Sequence, residues 1–133
     1  VKSVIAKLDA YLQSCEHTPF ELGVFDCCLF VADWVKYVHG FDPAPERGTY
    51  TTFKQGLNII KRDFKRTFES RLNAKPNSIG FATRGDIALC NYERELVGGI
   101  IGLGCVYTVS DYGVTTLSLD AVRYVYSLGD IHG

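Results

Sequence analysis

Three observations predict an α+β domain, with helices in the first half packed on a C-terminal antiparallel sheet or small barrel. Apolar residues recur three and four apart through the first 65 residues; after Gly85 the texture changes to short runs rich in β-branched and aromatic residues; and those runs are separated by turn-forming clusters at hairpin spacing. The 133 residues make one domain, 1–133, and are too few for two. At 47% hydrophobic and 22% charged the chain has the composition of a folded globular protein, which excludes intrinsic disorder.

Taken in order, Val1, Val4, Ile5, Leu8, Tyr11 and Leu12 predict an opening amphipathic helix that ends near Ser14. Thr18-Pro19 starts a turn, and Asp26 is placed to cap a second helix that runs to His39, stops at Gly40 and is barred from continuing by Pro43 and Pro45. Its stripe of Cys27, Phe30, Val31, Trp34 and Val38, widened by Ala32 and Val35, makes it the central buried helix. Only Asp33, Lys36 and His39 read as wet. A third helix is expected over 52–65, with Phe53, Leu57, Ile60 and Phe64 as its core face and Gly56 as its weak point. Residues 66–83, with Asn73, Pro76, Asn77 and Gly80, read as an irregular connection. Five strands follow, over 87–90, 97–103, 105–109, 114–119 and 122–127.

The formal charge of −1 conceals a segregated pattern. Residues 1–46 carry three bases against seven acids, residues 47–84 nine against two, and residues 85–133 two against six. The basic middle, with Lys61, Arg62, Lys65, Arg66 and Arg71 at its centre, reads as a solvated face or as a docking surface for an acidic protein neighbour. Nucleic acid is excluded as a partner because the acidic flanks would repel phosphate and the aromatics do not alternate with the bases. No apolar run approaches the roughly 20 residues needed to cross a bilayer, so no membrane insertion is expected. The N-terminus lacks the basic and apolar regions of a signal peptide.

Cys15, Cys27, Cys28, Cys90 and Cys105 are an odd set without the spacing of a secreted disulfide framework, so reduced thiols and synthesis in the cytoplasm are expected. Cys27 is the most informative, because a thiol in the first turn of a helix meets unpaired N–H groups and the positive end of the dipole, which favour thiolate. Against this stands the plain reading of a buried cysteine as a small apolar residue. Convergence of Cys27, Cys28, Cys90 and Cys105 on a metal is disfavoured, since zinc knuckles space their cysteines and adjacent helical residues point about 100° apart. No metal and no cofactor is expected. Gly98-Gly99-Ile100-Ile101-Gly102-Leu103-Gly104 lacks the Lys-Ser/Thr and helix of a phosphate loop and reads as close packing of the sheet on the Cys27 helix. Arg84-Gly85-Asp86 reads as a turn entering a strand.

The order of a helix-borne Asp26-Cys27-Cys28-Leu29-Phe30-Val31, then Gly85-Asp86-Ile87-Ala88-Leu89, then Val97-Gly98-Gly99-Ile100 resembles the NlpC-type papain-like cysteine peptidases, which cut bacterial cell-wall peptides. The family's motifs are Asp-Cys-Ser-Gly-Leu-Val, Gly-Asp-Leu-Val-Phe and His-Val-Gly-Ile. The third motif has lost its histidine here, and Val97 cannot act as a base. Pro19-Phe20, Ala32-Asp33-Trp34-Val35, Asp42-Pro43 and Arg47-Gly48-Thr49-Tyr50 make the chain similar to a phage-borne, tail-gene branch of this superfamily that lacks the family histidine. The resemblance implies a papain-like NlpC-type fold and a structural or assembly protein of a bacteriophage tail, at its tip. It would be made in the host cytoplasm, carried in the virion and bound to other tail proteins through its basic segment, with Cys27 a vestigial nucleophile. The alternative it implies is an active cysteine peptidase or amidase acting on peptidoglycan, with Cys27 as nucleophile and His132 or His17 as substitute base. His39 stands about 18 Å along the helix from Cys27 at 1.5 Å per residue and cannot serve.

Overall fold

A computed structural model describes residues 3–60 and 63–133. Among these, four α-helices precede a five-stranded antiparallel sheet, the predicted α+β arrangement. Helix α1 spans Val4–Cys15, with the Ser3 hydroxyl accepting from the Ala6 N–H at 3.2 Å. Helix α2 spans Cys27–His39. Its ends are the predicted ones: Asp26 caps the start, and Gly40 closes it in the left-handed conformation at φ 84°, donating to the Lys36 carbonyl. Strands β1 (Ile87–Tyr92), β2 (Glu95–Ile101), β3 (Val106–Ser110), β4 (Gly113–Leu117) and β5 (Val122–Tyr126) lie in the order β4-β3-β2-β1-β5. Three successive hairpins and one return to the free side of β1 build it.

The expected third helix divides into α3 (Phe53–Ile60) and α4 (Phe64–Leu72), so 66–72 is helical rather than part of an irregular connection. The cause is local: the Asp63 carboxylate accepts from the Arg66 N–H at 3.1 Å, Lys65 and Glu69 pair across one turn at 2.8 Å, and Asn73 takes the left-handed C-terminal position at φ 50°. Phe64, Phe68 and Leu72, one turn apart each, carry the packing face. The predicted core face of α3 is not buried: Phe53 is 58% exposed and Leu57 37%. Tyr37 on α2 is also more exposed than its helix predicts.

The main core lies between α2 and one face of the sheet, where Phe30, Val31, Trp34 and Val35 meet Ile87, Leu89, Ile100 and Tyr126. α1 closes it from outside, with the Tyr11 hydroxyl donating to the Phe30 carbonyl at 2.6 Å. Trp34 donates through Nε1 to the Gly85 carbonyl at 2.8 Å, tying α2 to the turn that opens β1. The Arg84-Gly85-Asp86 turn behaves as predicted. Asp86, buried, accepts from the N–H groups of Thr83 and Leu128 at 2.9 and 3.0 Å. Ala88, Cys90, Ile101, Val106 and Val125 form a second core on the opposite face of the sheet.

Candidate functional site

The site is organised by Asp26, which is 5% exposed and has both carboxylate oxygens doubly engaged. Oδ1 accepts from the N–H groups of Cys28 and Leu29 at 3.1 and 2.9 Å; Oδ2 accepts from the Gly23 N–H at 3.0 Å and the Tyr50 hydroxyl at 2.5 Å. Burial and then the facing carboxylate push the Tyr50 hydroxyl well up, so it stays a donor. Gly23 is required twice over: its φ is 80°, and a Cβ there would stand 2.0 Å from the Tyr50 carbonyl oxygen. One shell out, Arg47 joins α2 to the following loop. It meets Asp33 at 2.7 Å and grips both oxygens of Asp42 at 3.1 and 3.2 Å.

This frame fixes Cys27 at the first position of α2, partly buried against β2. A hydrogen bond from the Cys28 thiol lowers the Cys27 pKa below the ordinary thiol range, burial opposes it, and the Gly98 N–H adds to the lowering. The same bond and burial push Cys28 well above that range, so of the two thiols Cys27 is the one that favours thiolate. The groups that act most strongly on Cys27 are Cys28, the Gly98 backbone and Asp26.

β2 approaches α2 at Gly98, where a Cβ would lie 3.1 Å from the Cys27 carbonyl, 3.2 Å from Val31 and 3.4 Å from Phe68. The glycine-rich run thus serves close packing, as predicted. Val97 faces the second core, away from Cys27, while Leu96 shares the face of Gly98 and packs on the main core. The β2 side chains on the face of Gly98 are therefore Leu96 and Ile100, since a shift of one residue along a strand moves a side chain to the other face.

The histidines do not assemble around the sulfur. His39 sits at the opposite end of α2 with Nε2 2.7 Å from the Leu128 carbonyl, and His17 is exposed beyond α1. His132 is not in a loose tail: Ile131 beside it is 2% exposed, its own N–H donates to the Leu72 carbonyl at 3.3 Å, and Nδ1 lies 2.9 Å from the Asp130 carbonyl. Cys90 points into the second core, where burial raises its thiol to about 12. Among the described residues no group of three or more His, Cys, Asp or Glu side chains could hold a metal ion.

Of the basic residues singled out for interaction, Lys61 and Arg62 lie outside the described residues. Lys65 pairs with Glu69 and lies 4.8 Å over the Tyr124 ring, and Arg71 reaches Glu46 at 3.0 Å. Arg66 is exposed. Arg71 and Glu46 rim a cleft of about 60 Å3 floored by Cys28, Ala44, Phe64 and Phe68. A wider hollow of about 320 Å3 opens at the far end of α2, against His39 and Leu128. Tyr50 as the partner of Asp26, and Glu46 beside Cys28, were not legible as site residues; Tyr50 entered only as the last residue of Arg47-Gly48-Thr49-Tyr50, and Glu46 not at all.

Fold and site together define an α+β domain with a cysteine of lowered pKa held at a helix N-terminus. Residues 1–128 match the model of the family described as a domain of unknown function, DUF6950, and the chain belongs to that family. No curated protein matches the sequence. Among the described residues no helix is long and apolar enough to cross a membrane.

Proposed function

We propose that this chain is a non-catalytic protein on a papain-like, NlpC-type fold that serves as a structural or assembly component of a bacteriophage tail, at its tip. It is made in the host cytoplasm, carried in the virion and joined to other tail proteins through its surfaces. The observation that supports a non-catalytic role is where the histidines lie: His39 bonds the Leu128 carbonyl at the far end of α2, His17 is exposed, and His132 is held against the Leu72 and Asp130 carbonyls. A cysteine peptidase needs an imidazole both to hold the thiolate and to protonate the leaving amine. The cleft beside Cys28, about 60 Å3, is also far below the roughly 300 Å3 and more of ordinary ligand sites. The tail assignment rests on the motif resemblance. Its residues are spatially coherent here, Asp26 with Tyr50 and Asp42 with Arg47.

A second reading, an active peptidase or amidase on peptidoglycan stem peptides, is favoured by the lowered pKa of Cys27 alone. Alkylation by iodoacetamide across pH, run beside digestion of purified peptidoglycan, separates the two. The expected result is a Cys27 reactivity profile centred below the free-thiol value of about 8.5, absent in Cys27→Ala, with no peptide fragments released. Fragments that Cys27→Ala abolishes overturn the non-catalytic reading. Absence of the chain from purified, tail-bearing virions overturns the tail assignment.

A further inference from the structure

The hollow of about 320 Å3 at the C-terminal end of α2 reaches the size of ordinary ligand sites, which begin at about 300 Å3. Its apolar walls are aliphatic: Val4 from α1, Val38 from α2 and Leu128 from the segment after β5. Its polar lining is already bonded, with one exception. Both oxygens of Asp86 are taken, one by the N–H and hydroxyl of Thr83 at 2.9 and 3.2 Å, the other by the Leu128 N–H at 3.0 Å. His39 Nε2, 2.7 Å from the Leu128 carbonyl, faces a group that only accepts, so this nitrogen donates. Arg84 is the exception. It lines the hollow, is exposed, and among the described residues has no ion pair or hydrogen bond, not even with Asp86 two residues on. The turn that carries it is fixed: the Gly85 carbonyl accepts from Trp34 Nε1 at 2.8 Å, the Gly85 N–H donates to the Ile101 carbonyl at 2.9 Å, and a Cβ there would stand 2.7 Å from Val4 Cγ1. Arg84-Gly85-Asp86 thus satisfies its carboxylate inside the protein and leaves its guanidinium unpaired.

From this arrangement we infer that the hollow is a binding site for a monocarboxylate on a short branched aliphatic stem: Arg84 receives the carboxylate, and Val4, Val38 and Leu128 pack on the stem. The unfilled bonding capacity at the hollow is a planar fork of N–H donors, which a carboxylate matches with two acceptors in one plane. An ammonium ligand would bring donors to a site whose free group is itself a donor. A dianion such as phosphate would meet the negative end of α2 and the Asp86 carboxylate beside the guanidinium, and would leave the aliphatic walls without a partner. Because the turn is held by Trp34 and Ile101 before any ligand arrives, binding has little more than the Arg84 side chain to order. The inference depends neither on the catalytic state of Cys27 nor on the tail assignment.

Titration of the full chain with isovalerate, followed by heteronuclear NMR, tests it. The amides of Gly85, Leu128 and Gly129 are expected to shift together and to saturate with a Kd of about a few millimolar. Isovaleramide, which keeps the skeleton without the charge, and acetate, which keeps the charge without the stem, should each bind about tenfold more weakly. Arg84→Gln, a change at an exposed side chain, raises the isovalerate Kd about tenfold while circular dichroism stays that of the parent, and Arg84→Lys recovers part of the loss. N-acetyl-leucine separates two sources of the same chemistry: binding tighter than isovalerate assigns the site to the C-terminal carboxylate of a polypeptide, and weaker binding to a free acid. Absence of a saturable shift, isovaleramide binding as well as isovalerate, inorganic phosphate binding better than either, or indifference to Arg84→Gln overturns the inference. None of these outcomes touches the alkylation and digestion experiment.

Discussion

α2 and α3 are written in the same code, apolar residues three and four apart, and they end at opposite extremes of burial. α2 has Phe30, Trp34 and Val35 at 0% exposure and is held at its start by a buried carboxylate with four donors. α3 has its two best apolar residues in the open. It is held instead by its own ends: Thr52 Oγ1 accepts from the Gln55 N–H at 3.2 Å, and Gln55 Oε1 accepts in return from the N–H groups of Thr51 and Thr52 at 2.8 and 3.3 Å. That reciprocal box satisfies the first-turn donors without any tertiary packing. Periodicity therefore identifies a helix without saying which way its apolar face turns. What buries α2 is the sheet brought against it through Gly98, whereas Phe53 and Leu57 of α3 stay exposed.

The largest effect is expected where α2 depends on a single side chain. Asp26→Ala leaves the N–H groups of Gly23, Cys28 and Leu29 and the Tyr50 hydroxyl without their acceptor inside the protein. A loss of about 3 kcal/mol or more in urea unfolding is expected. Gly23→Ala belongs to the same class, because neither its φ nor the Tyr50 carbonyl admits a Cβ. Tyr50→Phe is milder. Asp26 Oδ2 keeps the Gly23 N–H, and the loss is one hydrogen bond to a charged group, about 1.5–3 kcal/mol. If Asp26→Ala unfolds no more easily than Tyr50→Phe, the cap is not what fixes α2.

Much of this contrast could be read before any coordinates. Both ends of α2, the five strands and the close approach of the glycine run follow from Asp26, Gly40, the turn clusters and the absence of side chains in β2. α4 could not be read so easily, because Phe64, Phe68 and Leu72 are interleaved with Lys65, Arg66, Glu69 and Arg71, and charge density masks the period. The pairing of Asp26 with Tyr50 spans 24 residues and leaves no local trace. Which of Leu96 and Val97 shares the face of Gly98 is likewise not written in the motif, because a strand repeats every two residues and a shift of one exchanges its faces.

Arg47 sits between these extremes, neither in the core nor free. Its bond to Asp42 holds that carboxyl below the usual range, whereas burial holds Asp33 above it despite the same guanidinium. A depressed carboxyl contributes stability that is present above its unfolded value, about 3.9, and is lost as pH falls through the folded value. A raised one works in the opposite sense, so Asp33 offsets part of the gain. Arg47→Met, which keeps the aliphatic packing, is expected to cost about 1 kcal/mol at neutral pH, since all three side chains are roughly a third exposed and screened. The difference from the parent should shrink below about pH 4. A gap that stays constant down to pH 2 would assign the effect to packing instead of charge.

The smallest effect is expected at Phe53, and its smallness is what the comparison asserts. In a helix whose apolar face met the core, removing a phenylalanine side chain would cost about 3–5 kcal/mol. At 58% exposure, with α3 secured by Thr52 and Gln55, Phe53→Ser should change the unfolding free energy by under about 0.5 kcal/mol. Thr52→Ala, which removes the acceptor for the Gln55 N–H, should matter more, about 1 kcal/mol. Reversal of that order, with Phe53→Ser the more damaging, would mean that α3 is packed after all. The distinction between a helix made by its neighbours and one made by its ends would then fail at the residue where it is drawn most sharply.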